Sequence, residues 1–316
     1  MGFRPWSLRG MRLLVVGTAK EFWRDRVLGL SAEAAFWQLL SLPPLLLAVM
    51  GTIGFFGSWL GADTVAGVEQ AILDAAGRVL APNAVQNLVQ PAVQAVLAGG
   101  RLDVVSVGFL LSIWSGSTAM ATYVNTITIA YDLRDCRSAV RSRLLALVLY
   151  LGAVVVGIVI LPALVLGPNL LVRLAPEAWR DSVATAVNAA YWPGIVLGCI
   201  GLLTTLYHLS VPVRTRWLRA LPGSVVAMAI WLLGSIGLRW YVGVVIRSSS
   251  AYSSLSAPIA MLLFLYLTAL AVLIGAELNA EIDKLWPSRE TAAAREQGRF
   301  TKLTSGARRW VPTLRE

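Results

Sequence analysis

Six apolar runs dominate the pattern of the chain, at residues 28–59, 104–130, 144–166, 183–207, 220–243 and 255–278. Each is long enough for the roughly 20 helical residues that cross the hydrocarbon layer of a bilayer. They are rich in Leu, Val, Ala, Ile and Gly. Trp and Tyr gather near several ends (Trp59, Trp179, Trp192, Tyr207, Trp217, Trp240 and Tyr241), as in an interfacial aromatic belt. The pattern predicts an all-α, polytopic integral membrane protein with six transmembrane helices occupying residues 28–282.

The polar flanks have patterns of their own. In residues 1–27, Arg9, Arg12, Lys20 and Arg24 share a stripe, while Leu8, Met11, Val15, Phe22 and Trp23 supply apolar surface, as in an amphipathic helix lying on a membrane. Residues 79–100 carry no charge but hold Pro82, Pro91, two Asn and three Gln. Residues 62–102 therefore read as an external amphipathic helical segment rather than a seventh span. Residues 283–316 read as a polar, basic and mobile tail.

Composition agrees, with 57% hydrophobic and 14% charged residues among 316. A soluble chain of that size would expose too much apolar surface. The net charge of +10 would suggest nucleic acid if it were gathered on one patch. Instead, with the N-terminus inside, 21 of the 27 Lys and Arg residues fall in cytoplasmic pieces. That bias places both termini on the cytoplasmic face of the cell membrane and assigns the basic charge to topology. The expected partners are the bilayer itself and anionic lipid headgroups, not nucleic acid. Cys136 and Cys199 read as free thiols, and no cleavable signal peptide opens the chain.

Candidate chemistry is sparse. With one histidine, His208, no multi-histidine metal site can form, and no GxSxG, Walker or CxxC motif occurs. Neither an enzyme, a metal site nor a cofactor is expected. The first span carries Ser41, Leu42, Pro43 and Pro44 near its middle, where proline removes backbone donors, so a kink or short unwound turn is expected. Such a break can line a cavity or simply pack against neighbours. Glu33 lies about five residues into that span, roughly 8 Å deep at the helical rise. Glu277 closes the sixth span beside Asn279. An acid inside a membrane is costly and is a functional candidate or a paired structural group. In span two Ser115, Thr118, Thr122 and Asn125 continue a polar stripe from Ser112, suited to a solute path or to bonds within the bundle.

Several stretches resemble the YihY/BrkB family of bacterial inner-membrane proteins. They are residues 31–44 (SAEAAFWQLLSLPP), Ile113-Trp114-Ser115, Ala130-Tyr131, residues 141–147, Arg219-Ala220-Leu221-Pro222-Gly223, Tyr252-Ser253-Ser254-Leu255 and Gly275-Ala276-Glu277-Leu278-Asn279-Ala280. The resemblance covers about residues 28–282 and implies six membrane helices with cytoplasmic ends. Many members carry Asn three residues before the tyrosine matching Tyr131, where this chain has Thr128. Some members bear a ribonuclease BN label, which the single histidine and missing metal cluster argue against here. Two readings stand: a transporter or lipid- and solute-handling permease using the broken first span and Glu33, or a non-catalytic envelope-integrity scaffold.

Overall fold

The computed structural model describes residues 8–55, 66–67, 69–70, 73–74, 86, 90–91, 93–94, 102–166, 180–248 and 253–297. A short helix α1 (Leu8–Arg24) precedes six long ones: α2 (Val27–Phe55), α3 (Leu102–Ala130), α4 (Ala139–Leu166), α5 (Arg180–Ser210), α6 (Leu221–Ser248) and α7 (Ser253–Leu285). All six long helices contain a stretch apolar and long enough to cross a membrane. Among the described residues there is no strand. Most of the expected external segment, 62–102, lies outside the described residues, although Gln94 donates to Glu69 at 3.0 Å.

The chain divides into two compact units. One comprises Met1–Ser31, Met120–Trp231 and Leu270–Glu316; the other comprises Ala32–Ala119 and Leu232–Ala269.

The first unit holds both chain ends. Its interior is built from small residues: Ala130, Ala146, Ala220, Ala227, Ala271, Ala276 and Ala280 are buried. In lipid, helices associate by close backbone approach and polar links rather than by apolar burial. Gly223 and Gly275 take this furthest, since a Cβ on either would run into the other's carbonyl oxygen. Tyr207, fully buried, donates its hydroxyl to the carbonyl of Val272 at 2.7 Å, and Thr204 donates to Ser224 at 2.9 Å. Arg137 reaches the carbonyls of Leu209, Ser210 and Val211, each at 3.4 Å, where the end of α5 leaves acceptors open.

The second unit is packed more plainly. Trp37 and Trp114 meet edge to face, with ring centroids 5.4 Å apart. Gly108 lets α3 approach the Pro44 carbonyl, where a Cβ would come within 3.3 Å. Of the expected kink or short unwound turn, the unwound turn does not occur: α2 remains helical through both prolines. The tight approach of α3 at that level supports the backbone there, in line with the packing alternative.

The two flanks stand differently against expectation. The protein-facing stripe of α1 is not its apolar one: Gly10 and Glu21 are buried, whereas Met11, Leu13, Val15, Val16 and Trp23 are exposed. In addition, α7 extends to Leu285, and residues 289–297 form a further helix, α8, where a mobile tail was expected. Ser288 caps it, its hydroxyl accepting from the Thr291 amide at 3.1 Å. Residues 298–316 lie outside the described residues.

Candidate functional site

In the first unit the last turns of α7 present two polar faces. Positions 277, 281 and 284 follow helical spacing along one of them, and 279, 282, 283 and 286 lie on the other.

The first face meets α1. Gly17 lets α1 press against the Glu281 carboxylate, and Lys284 pairs with Glu21 at 3.2 Å. A third element brings in Asp132. At the end of α3, Asp132 adopts φ 56°, its amide bonds to Ile129 and the Leu133 amide reaches back to Thr128, a left-handed helix stop. The turn carries the Asp132 carboxylate to 3.4 Å from Lys284 and 3.5 Å from Arg24. Arg24 also pairs with Glu21 and, at 3.1 Å, with Asp25. Burial works against the Arg24 charge, but the Asp25 hydrogen bond and the charges of Asp25, Glu21 and Asp132 outweigh it and raise its pKa.

At the inner end of this face stands Glu277, 1% exposed, within the last membrane span. Among the described residues neither of its carboxylate oxygens has a hydrogen-bond partner, and both are sealed from water. The charges that act on it are Asp25, Lys284, Glu21 and Arg24. A buried carboxylate normally recruits two or more donors, because an unpaired buried charge is among the costliest groups a fold can hold. Such an exception marks a group kept for a purpose other than stability.

On the opposite face both polar side chains of α7, Asn279 and Asp283, have partners. Asn279 accepts from the Gly223 amide at 2.8 Å and donates to the Ala220 carbonyl at 2.8 Å, capping α6 from a neighbouring helix. Asp283 accepts from Arg219 at 3.1 Å, Arg295 at 2.9 Å, Thr291 at 3.2 Å and the Ser288 amide at 3.4 Å. Arg295 continues to the Tyr131 carbonyl at 3.1 Å, which fastens α8 to the end of α3. Burial, reinforced by the Asp283 charge, pushes the Tyr131 phenol well above its ordinary range. A small cavity of about 60 Å³ opens on this face, lined by Tyr207, His208, Arg219, Asn279, Asp283 and Trp286 among others.

Comparison with known proteins follows the same stretch of chain. Residues 18–299 match the virulence factor BrkB family. The chain belongs to the BrkB family. It is 27% identical to the ribonuclease-like protein YfkH of Bacillus subtilis (strain 168) over 256 residues, covering 80% of this chain and 89% of that one. It is 26% identical over 294 residues to a UPF0761 membrane protein of Azoarcus sp. (strain BH72), covering 85% of this chain and 67% of that one. A UPF0761 membrane protein of Methylibium petroleiphilum is 27% identical over 295 residues, which cover 89% of this chain and 64% of that protein. No solved structure matches.

In this BrkB-family chain the candidates read from sequence divide between the two units. Glu33, Ser41, Pro43, Pro44, Ser115 and Thr118 belong to one; Thr122, Asn125, Glu277 and Asn279 belong to the other. Glu33 is exposed, as are Pro43 and Asn125, while Ser41, Ser115 and Thr122 are buried. Ser41 donates to the Gln38 carbonyl at 2.8 Å. Along α3, Ser115 donates to Leu111 at 2.7 Å, Thr118 to Trp114 at 2.6 Å and Thr128 to Val124 at 2.7 Å. Those hydroxyls bond to the carbonyls of their own helix. The two family-like motifs at 219–223 and 275–280 do meet, through Asn279 and the glycine pair.

Sequence reasoning missed Glu21, Asp25, Lys284 and the Asp283 clasp. Ser288, with Pro287 before it and Glu290 after, was a legible helix start. Nothing in the linear pattern shows that α1 turns its one acid, Glu21, inward.

Proposed function

We propose that this BrkB-family membrane protein is a permease of the cytoplasmic membrane that moves a solute or lipid, with Glu277 as the acid that binds the transported or coupling species. One observation carries the reading: an intramembrane carboxyl, 1% exposed, without a hydrogen-bond partner among the described residues. Stability alone would have replaced it or given it donors, as at Asp283. Both termini are cytoplasmic in this reading. The exposed apolar side of α1 enters the headgroup boundary, and the basic residues at both ends meet anionic lipid. Glu33, on the exposed side of α2, then faces headgroups rather than a transport path.

The test is flux. The purified chain is reconstituted in liposomes and screened with labelled lipids, organic cations and organic anions. Flux that disappears in Glu277→Gln and survives in Glu33→Gln supports the reading. Inserted, folded protein that moves nothing across the panel overturns it.

The scaffold alternative draws support from the hydroxyls of α3, which bond to their own helix. On that reading, deletion of residues 62–102 removes the phenotype and Glu277 affects stability alone. The ribonuclease-like name of YfkH is not carried over. Among the described residues no group of three or more His, Cys, Asp or Glu side chains is placed to hold a metal ion, as a metal-dependent nuclease requires.

A further inference from the structure

Three kinds of charge could neutralise Glu277: a proton, a metal cation or an organic ammonium group. We propose that the Glu277 site takes a proton, and that Lys284 is the displaceable counter-ion that balances the carboxylate when the proton leaves. The proposal rests on the permease reading and names its coupling species.

The first ground is space. Sodium, potassium or an ammonium headgroup needs a void beside the carboxylate and several further oxygen ligands. Neither Glu277 oxygen touches a water-sized space, and neither has a hydroxyl, amide or carbonyl partner among the described residues. The cavity at this end of α7 is lined by Asn279, Ile282, Asp283 and Trp286, from the opposite face. A proton needs no void and no ligand beyond the oxygen lone pair.

The second ground is charge. Around Glu277 stand Glu21 and Arg24 from α1, Asp25 from the turn after it, and Lys284 from its own helix. Asp132 reaches the same two cations from the turn after α3, and Glu281 faces α1 at Gly17. Among the described residues, five carboxyls, those of Glu21, Asp25, Asp132, Glu277 and Glu281, thus share two cations. Arg24 already serves Glu21, Asp25 and Asp132. An ionised Glu277 has no cation of its own, whereas a protonated one needs none.

Lys284 supplies the return step. Its ammonium bridges Asp132, whose side chain is 53% exposed and costs little to leave, and Glu21, whose side chain is 12% exposed but keeps its pair with Arg24 when Lys284 departs. Side chains on a helix lean toward its N-terminus, which aims the long Lys284 stem along the face of Glu281 and Glu277. Once the face between α1 and α7 opens to water, the Glu277 O–H bond breaks, the electron pair stays on the carboxylate, the proton passes to that water and the Lys284 ammonium moves in. Reprotonation sends Lys284 back to Glu21 and Asp132. Lys284 is a positioning residue in this scheme.

Infrared difference spectroscopy on the full chain in phosphatidylethanolamine–phosphatidylglycerol liposomes tests this without measuring flux. The pH is stepped from about 5 to about 10, spanning ordinary and strongly perturbed carboxyls. Sodium and potassium are then varied at fixed pH. The expected result is one protonated-carboxyl band that titrates, is absent in Glu277→Gln, shifts in frequency in Glu277→Asp and ignores both metal ions. Lys284→Met should move its midpoint up by about one pH unit or more, while Lys284→Arg leaves it near the parent value. No Glu277-dependent band at any pH, or a band displaced by sodium or potassium, overturns the proton assignment. An unmoved midpoint in Lys284→Met overturns the counter-ion role. A titrating band without flux rejects the permease reading alone; flux without the band rejects the proton alone.

Discussion

Glu277 and Asp283 are acids on opposite faces of one helix end, six residues apart, and both are buried, at 1% and 5% exposure. Asp283 takes hydrogen bonds from two arginines, a threonine and a backbone amide, and through them holds α8 and the end of α6 in place. Glu277 takes none. Burial therefore does not separate a structural acid from a functional one. What separates them is whether the fold has supplied donors, because a paired acid holds structure together while an orphaned one costs stability that only another role can justify.

Breaking the satisfied face should have the largest effect. Asp283→Ala strands the Arg219 and Arg295 guanidinium groups and should cost about 3 kcal/mol, the low end for a buried pair because the Arg219 side chain is 41% exposed. Thermal unfolding in detergent reads this loss, and an unchanged midpoint would remove the clasp from the account of stability. Gly223→Ala comes next, at about 2 kcal/mol, since the new methyl meets the rigid Gly275 carbonyl. By contrast, Gly17→Ala meets only the flexible end of Glu281 and should cost under about 1 kcal/mol in the same assay.

The comparison is sharpened at Glu277 itself. Glu277→Gln should leave stability unchanged or raise it by up to about 1 kcal/mol, while abolishing flux. Destabilisation matching that of Asp283→Ala would mean that the carboxylate is structural after all. The smallest effect is expected along α3. Ser115→Ala and Thr118→Val should stay within about 0.5 kcal/mol and leave flux intact, because those hydroxyls back-bond to their own helix. Flux lost in Thr118→Val would restore that stripe as a solute path.

Much of this was readable along the chain. The spans, the all-α class and the family resemblance followed from run length and motif order, and Glu277 and Asn279 stood among the candidates. The ranking of the two acids was not readable. Glu33 drew attention by its linear depth in the first span, yet the structure exposes it and buries Glu277. A membrane helix is apolar on its lipid side and on much of its protein side, so the periodicity that reveals the inner face of a soluble helix is nearly absent. The same ambiguity hid the inner face of α1, whose small and acidic stripe faces the protein while its apolar residues face out.

By itself, then, the sequence determined which segments enter the membrane and which family they compose, because those properties depend on how much apolar length is continuous. Only the tertiary structure decided that Asp283 is paired and Glu277 is not. Hydrogen-bond satisfaction depends on donors arriving from Arg219, Arg295 and Ser288, and on none arriving from α1, and no local pattern around either acid records which helices will meet it.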